Sequence, residues 1–145
     1  MGKRTLVIML AFGLAFSVLG VAGNANAEED ISKVLNSVIM KNFKAYEQED
    51  IEKVMSTVHS KSPGFAATKD FSSQIFPVYD IKYELLNFKY IVIEQDYALG
   101  RVKQKTTKIS GPEFKDNIID SIVIFKQESG VWKLWSQATL TLEYI

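Results

Sequence analysis

The chain has 145 residues, with 17 basic and 17 acidic side chains, one histidine and no cysteine. The lack of cysteine excludes disulfides and cysteine-ligated metal sites. The balanced charge gives no concentrated basic surface of the kind that nucleic acids favour, so we expect no nucleic-acid partner. Nothing in the pattern of residues indicates a metal or another cofactor.

An export signal accounts for residues 1–27. Lys3 and Arg4 form a positive start, residues 6–22 are uncharged and mostly apolar, and Ala25-Asn26-Ala27 has the small-x-small pattern of a signal peptidase site. We therefore predict cleavage after Ala27 and a periplasmic or secreted protein.

An uncleaved membrane anchor is the alternative, because the apolar run approaches the roughly 18 to 20 residues that a spanning helix needs. Three glycines weaken that interpretation, and the acidic stretch Glu28-Glu29-Asp30 suits a mature N-terminus. We predict a single domain over residues 28–145, with no membrane span after cleavage.

Two helices are predicted at the start of this domain. Apolar residues recur at three- and four-residue steps from Ile31 to Tyr46, which indicates a helix with one buried face. The same spacing restarts at Ile51 and continues to Val58, after acidic residues that suit a helix N-terminus. Pro63-Gly64 then ends the helical region.

A connector and a long sheet follow. Phe65 to Thr68 is predicted as a short strand, and Asp70 to Phe76 as one or two helical turns. From Asp80 onward the apolar pattern has a period of two, which predicts an antiparallel meander of four strands. A change of parity near Leu85 predicts a bulge in the first strand.

The last three strands each have a face without charge, which we expect to face the helices. In the final strand this face is predicted to carry Ser136 and Ala138, with Gln137 and Thr139 on the outer side. A shift of one residue in register would invert this assignment.

The helix junction Tyr46-Glu47-Gln48-Glu49-Asp50-Ile51 and the terminal hairpin from Phe125 to Leu134 resemble the nuclear-transport-factor-2-like, or SnoaL-like, superfamily. The resemblance covers residues 31–144. It implies an α+β fold in which a strongly curved antiparallel sheet wraps around the N-terminal helices to form a cone with a pocket at its open end.

Enzymes of that superfamily include ketosteroid isomerase, dehydratases and polyketide cyclases, so the fold alone does not fix the function. The isomerase type needs a buried carboxylate, a Tyr and a protonated acid on the inner face. That set has no residue-by-residue match here. Several enzymes also place a polar catalytic group on the last strand, where this chain is predicted to have Ser136 and Ala138, and this departure favours a non-catalytic role.

Six residues on predicted inner faces combine aromatic walls with hydrogen-bonding groups, the usual composition of a small-molecule site. Ordinary core packing, with the polar atoms satisfied by backbone, is an equal alternative. The predicted ligand-binding residues are Tyr46, Tyr83, Gln104, Ser121, Trp132 and Ser136.

Two residues are weak catalytic candidates. His59 is the only histidine, and its position at the end of a helix suits a structural role beside the helix dipole. Asp120 interrupts an apolar strand, where a carboxylate of raised pKa would suit proton abstraction. Its parity instead places it on the outer face opposite Lys103, as a cross-strand ion pair.

The leading hypothesis is therefore a non-catalytic exported domain that binds a small, largely apolar molecule. One alternative is an isomerase- or dehydratase-type enzyme that uses the same pocket. The other is an interaction module, because Trp135 is predicted on the outer sheet face and such faces favour a homodimer.

Overall fold

The computed structural model describes residues 22–145, and three helices precede four strands. Most of the predicted signal peptide lies outside the described residues. The first helix continues through the predicted cleavage point at Ala27, so removal of the signal would shorten it; the boundary at this point stays a prediction. The elements are α1 Ala22–Glu47, α2 Ile51–Thr57, α3 Phe65–Ile75, β1 Asp80–Glu94, β2 Tyr97–Ser110, β3 Asn117–Glu128 and β4 Val131–Tyr144.

The first two helices form where the apolar spacing predicts them. The α1 residues Leu35, Ile39 and Phe43 are buried on one face of the helix. Asp50 caps the start of the second helix, and its carboxylate accepts a hydrogen bond of 3.0 Å from the backbone N–H of Lys53. This contact satisfies one of the N–H groups that a helix start leaves unpaired.

The connector differs from the prediction. Phe65 to Thr68 is not a strand but the first turn of α3, and the helix continues without interruption to Ile75. The backbone N–H of Thr68 donates to the Gly64 carbonyl oxygen at 2.8 Å, which closes the first turn. The physical reason is local propensity, since the two alanines at 66 and 67 favour helix, and a lone strand here would have no partner.

The four strands form one antiparallel sheet in the order β1-β2-β3-β4, which confirms the predicted meander. Helices on one side of an antiparallel sheet also confirm the α+β class. Strong curvature into a cone remains a prediction.

The core lies between α1 and the inner face of the sheet. Alternate residues of each strand point inward, as expected from the pleat. Gly100 lies on this face, and the Phe88 ring occupies the space above it, because an added Cβ would lie 2.6 Å from the nearest ring atom. The buried apolar cluster includes five residues of the sheet, Ala98, Val102, Val123, Phe125 and Trp132, and Ile81 of β1 is buried as well.

Extra residues interrupt the ladders of both edge strands. In β1 the pairing passes over Leu86, which confirms the bulge predicted near Leu85, and it passes over Ile91 as well. In β4 it passes over Trp135 and Leu140. Each bulge changes which parity faces inward, so these residues decide which side chains reach the interior.

Candidate functional site: a neutral cavity under the helices

A cavity of about 370 Å³ lies between the helices and the inner face of the sheet. Its size is within the range of small-molecule pockets, roughly 300 to 1,000 Å³. Helices α1 and α3 form one wall, and all four strands contribute to the other. The lining residues are Ile39, Asn42, Phe43, Tyr46, Phe71, Ile75, Ile81, Tyr83, Val102, Gln104, Thr106, Phe114, Asn117, Ile119, Val123, Leu134 and Gln137.

None of these described lining residues carries a charge at neutral pH. Their polar groups are four amides, the hydroxyl of Thr106 and two phenols. Burial in such surroundings penalises a charged ligand that has no partner of opposite sign. The cavity is therefore suited to a neutral molecule with a largely apolar body.

The two phenols stand together at the helical side. The rings of Tyr46 and Tyr83 are 5.5 Å apart, and Phe76 packs edge-on against Tyr46. Burial raises the pKa of Tyr46, although contact with Ser72 opposes this shift. Burial also raises the pKa of Tyr83, to about 12, assisted by the neighbouring Tyr46 and Glu47. Both phenols are therefore protonated and neutral at physiological pH.

The polar end of the cavity is built by one row of the sheet. Tyr83, Thr106 and Asn117 pair in sequence across β1, β2 and β3 and line the cavity, whereas Tyr144, the next partner on β4, is exposed and outside the lining. Thr106 and Asn117 are buried, with 6% and 8% of their surface exposed. The Asn117 amide nitrogen donates to the Lys115 carbonyl oxygen at 3.0 Å. Thr106 Oγ1 and Asn117 Oδ1 have no hydrogen-bond partner among the described residues.

The structure distributes the six predicted ligand-binding residues among three places. Tyr46, Tyr83 and Gln104 line the cavity. Ser136 instead lines a neighbouring cleft, which Tyr46 also borders. Ser121 and Trp132 lie in the core, with 0% and 8% of their surface exposed; Trp132 belongs to the buried apolar cluster that includes Leu35 and Phe43 of α1.

Gln137 is the lining residue that the strand pattern misplaced. The sequence predicted Ser136 and Ala138 on the inner face and Gln137 outside, but the bulge at Trp135 reverses the parity beyond it. Gln137 therefore lies opposite Val123, lines the cavity, and donates a 3.2 Å hydrogen bond to Ser121 Oγ. The residues around Trp135 are too mixed in polarity for the strand pattern to reveal the extra residue.

His59 lies outside the cavity lining and is 5% exposed. Its backbone N–H donates to the Leu134 carbonyl oxygen at 2.9 Å, and its Nδ1 accepts from the Lys61 backbone N–H at 3.0 Å. The imidazole packs edge-on against Trp135 with ring centres 5.0 Å apart. These contacts tie the end of α2 to β4, which is a structural role.

Asp120 lies on the outer face of the sheet, away from the cavity. It is opposite Lys103 in register, as predicted, but its carboxylate accepts two hydrogen bonds from Arg101, at 2.7 and 2.8 Å. The planar guanidinium fork reaches diagonally across the ladder and matches both carboxylate oxygens, which the single amine of Lys103 does not. The hydrogen bonds from Arg101 lower the Asp120 pKa, so this carboxylate is ionised at neutral pH.

Trp135 is half-buried rather than fully exposed on the outer face. Its ring contacts Tyr97 with centres 6.0 Å apart, and Lys126 Nζ lies 4.6 Å from the ring centre. Ser62 Oγ donates to its carbonyl oxygen at 2.6 Å. The bulged residue therefore anchors the loop after α2 to the sheet.

Two further properties concern the described part of the chain. Within residues 22–145, no three His, Asp or Glu side chains lie close enough together to hold a metal ion. None of the helices in this range combines the length and the apolar character needed to cross a membrane.

Solved structures from several bacteria share this architecture. Rv3472 from Mycobacterium tuberculosis, a protein of unknown function, is 13% identical with a TM-score of 0.70, covering 83% of this chain and 76% of its own. A provisionally named scytalone dehydratase from Novosphingobium aromaticivorans is 13% identical with a TM-score of 0.65, covering 83% and 89%. At such identities the likeness shows the fold.

A third structure carries the superfamily name. A provisionally named dehydratase of the NTF2-like family from Streptomyces avermitilis is 18% identical with a TM-score of 0.62, covering 75% of this chain and 94% of its own. The resemblance inferred from the helix junction and the terminal hairpin is thereby confirmed at the level of fold.

Sequence comparison gives a narrower assignment. None of the curated proteins matches the chain. Residues 37–145, which span α1 from its middle to the end of β4, match the family "Anti-sigma-I factor RsgI9, C-terminal domain". The chain has a nuclear-transport-factor-2-like fold and belongs to the family of RsgI9 C-terminal domains.

Proposed function

We propose that this domain binds a small, neutral, largely apolar molecule in the cavity under its helices and does not transform it. The observation that carries the proposal is the cavity itself, about 370 Å³ in volume and lined by aromatic and aliphatic side chains without a charged group among those described. A ligand in such a cavity gains affinity by burying its apolar surface, and a few polar atoms of the lining fix its orientation.

Two features favour binding over catalysis. Neither catalytic candidate reaches the cavity, since Asp120 is held by Arg101 on the outer face and His59 is packed between α2 and β4. The phenols of Tyr46 and Tyr83 hold their protons too firmly to act as bases near neutral pH. The chain also belongs to a family named for an anti-sigma factor, which suits a domain that binds a ligand rather than an enzyme that converts a substrate.

We further propose that the domain works outside the cytoplasm. The signal-like N-terminus supports export, and the assignment to the C-terminal domain of an anti-sigma factor supports an extracytoplasmic position. N-terminal sequencing of the protein recovered from its native host tests cleavage after Ala27. An intact N-terminus in a membrane fraction would contradict release as a secreted or periplasmic protein.

A blocked cavity tests the binding function. Ile75 lines the cavity from α3, whereas its neighbour Gln74 is exposed and outside the lining. We expect Ile75→Trp to fill space in the cavity and to abolish binding of a neutral two-ring aromatic, 2-naphthol, measured by isothermal titration calorimetry. The matched variant Gln74→Trp should bind like the natural protein.

Either of two results would overturn the proposal. One is failure of both 2-naphthol and its apolar analogue 2-methylnaphthalene to bind the natural protein. The other is equal binding by the Ile75→Trp and Gln74→Trp variants, which would place the bound probe elsewhere on the molecule. Circular dichroism of both variants shows whether the fold is retained.

The homodimer through the outer sheet face stays a prediction. Sedimentation velocity of the natural protein and of Trp135→Ala tests it directly. Loss of a dimer with the fold retained would support an outer-face interface. A monomer at all concentrations would contradict it.

A further inference from the structure

We infer that the cavity selects a ligand with a hydroxyl group, held between Thr106 Oγ1 on β2 and Asn117 Oδ1 on β3. This inference rests on the proposed binding function and names the chemical class of its ligand. The two residues are direct cross-strand partners, both line the cavity, and both are more than nine-tenths buried.

The hydrogen-bonding capacity of the pair decides the ligand chemistry. The Asn117 amide nitrogen is already engaged by the Lys115 carbonyl oxygen, so the side chain offers its oxygen, which is an acceptor only. The Thr106 hydroxyl both donates and accepts. A ligand hydroxyl matches both partners at once, because it donates to Asn117 Oδ1 and accepts from Thr106.

Other neutral and charged groups fit less well. A ketone or ether accepts from Thr106 but leaves Asn117 Oδ1 unpaired. A carboxylate brings negative charge against that acceptor, and the described lining has no cation to balance it. An alkyl group leaves both polar atoms unsatisfied in a buried place, which is costly.

The cross-strand geometry supports one shared ligand group. Side chains of directly opposed residues in an antiparallel pair have Cβ atoms about 4.5 to 5.5 Å apart. Both polar atoms have almost no surface open to solvent in the ligand-free structure, so a ligand oxygen would enter between the two side chains by a small rotation of them and then contact both. The apolar body of the ligand would then extend toward Phe114, Ile119 and the helical wall.

Paired probes of nearly equal shape test the inference. Calorimetry would compare 2-naphthol, 2-methylnaphthalene and sodium 2-naphthoate at neutral pH, where a phenol is uncharged because it titrates near 10. We expect 2-naphthol to bind roughly tenfold or more tightly than 2-methylnaphthalene, the advantage of satisfying buried polar atoms. The anionic 2-naphthoate should bind weakest.

Two threonine variants localise the effect. Thr106→Val removes the hydroxyl and should bring the ratio of the 2-naphthol affinity to the 2-methylnaphthalene affinity down toward one. Thr107→Val makes the same change one residue along, on the opposite face of β2, and should keep the preference. As an independent readout, the side-chain amide signals of Asn117 should shift in nuclear magnetic resonance spectra when 2-naphthol is added.

The outcomes separate this inference from the proposed function. Equal binding of 2-naphthol and 2-methylnaphthalene, both blocked by Ile75→Trp, would leave the binding cavity standing and overturn hydroxyl selection. A preference that survives Thr106→Val, with no shift of the Asn117 amide, would also overturn it. Failure of every probe to bind would overturn the proposed function together with this inference.

Discussion

Thr106→Val should stabilise the ligand-free domain. Thr106 is 6% exposed, and its hydroxyl has no partner among the described residues, so folding removes it from water without a compensating hydrogen bond. That desolvation costs about 1 to 3 kcal/mol. Valine has nearly the same shape and branching, so it keeps the strand conformation and fills the same space.

The expected gain is about 1 kcal/mol or more in the free energy of unfolding. For a domain of this size, that corresponds to a rise of roughly 3 to 6 °C in the thermal midpoint. Urea unfolding followed by circular dichroism would measure the gain, and an unchanged slope against denaturant would show that the surface exposed on unfolding is the same. Mass spectrometry would first verify that no ligand remains bound.

Thr107→Val provides the control for this measurement. Its side chain lies on the other face of β2 and is partly exposed, so the change should alter stability by no more than about 0.5 kcal/mol. A Thr106→Val protein that is no more stable than the Thr107→Val protein would refute the reasoning, because the hydroxyl would then be satisfied in the native state. Thr106→Val should therefore both raise the free energy of unfolding and remove the preference for ligands with a hydroxyl group.

Three other predictions concern packing and charge. Gly100→Ala should lower the free energy of unfolding by about 1 to 3 kcal/mol because its methyl group would overlap the Phe88 ring, and equal urea midpoints would contradict that packing. Hydrogen bonds from Lys133 and Ser60 lower the pKa of Glu128 from 4.5 to about 2, so its contribution to stability is present above pH 4.5 and is lost as the pH falls through about 2. Glu128→Gln should therefore reduce the loss of unfolding free energy between pH 4.5 and pH 2. An equal loss in the natural protein and the variant would disprove this role of Glu128. Asp120→Asn should leave 2-naphthol affinity unchanged, since the side chain lies on the outer face; a tenfold loss in calorimetry would place it in the site.

The first two helices and the strand order followed from local patterns, and for that reason they could be predicted. Apolar spacing located α1 and α2, and the parity change near Leu85 revealed a bulge because charged and apolar residues lie on both sides of it. The stretch from Phe65 lacks such a pattern, and α3 was accordingly predicted as a strand in part.

Residues of the candidate site could be predicted on strands whose side chains alternate without interruption. They could not be predicted beyond a bulge, where the alternation reverses. Gln104 reaches the cavity because β2 pairs with β3 without a shift in register. Gln137 was assigned to the wrong face because the residues around Trp135 are too mixed in polarity to show an extra residue. The ion pair of Asp120 depended on the reach of the Arg101 side chain, which strand alternation does not encode.

The bulge at Trp135 also has an evolutionary consequence. Because the side chains beyond it alternate with a period of two, a shift of one residue in the pairing of β4 with β3 would exchange the set that the end of β4 places on the inner face of the sheet. Ser136 and Ala138 would then take the inward positions of Gln137 and Thr139. An insertion or deletion that moves this register thus gives the architecture a route to new ligand chemistry that bypasses stepwise point mutation.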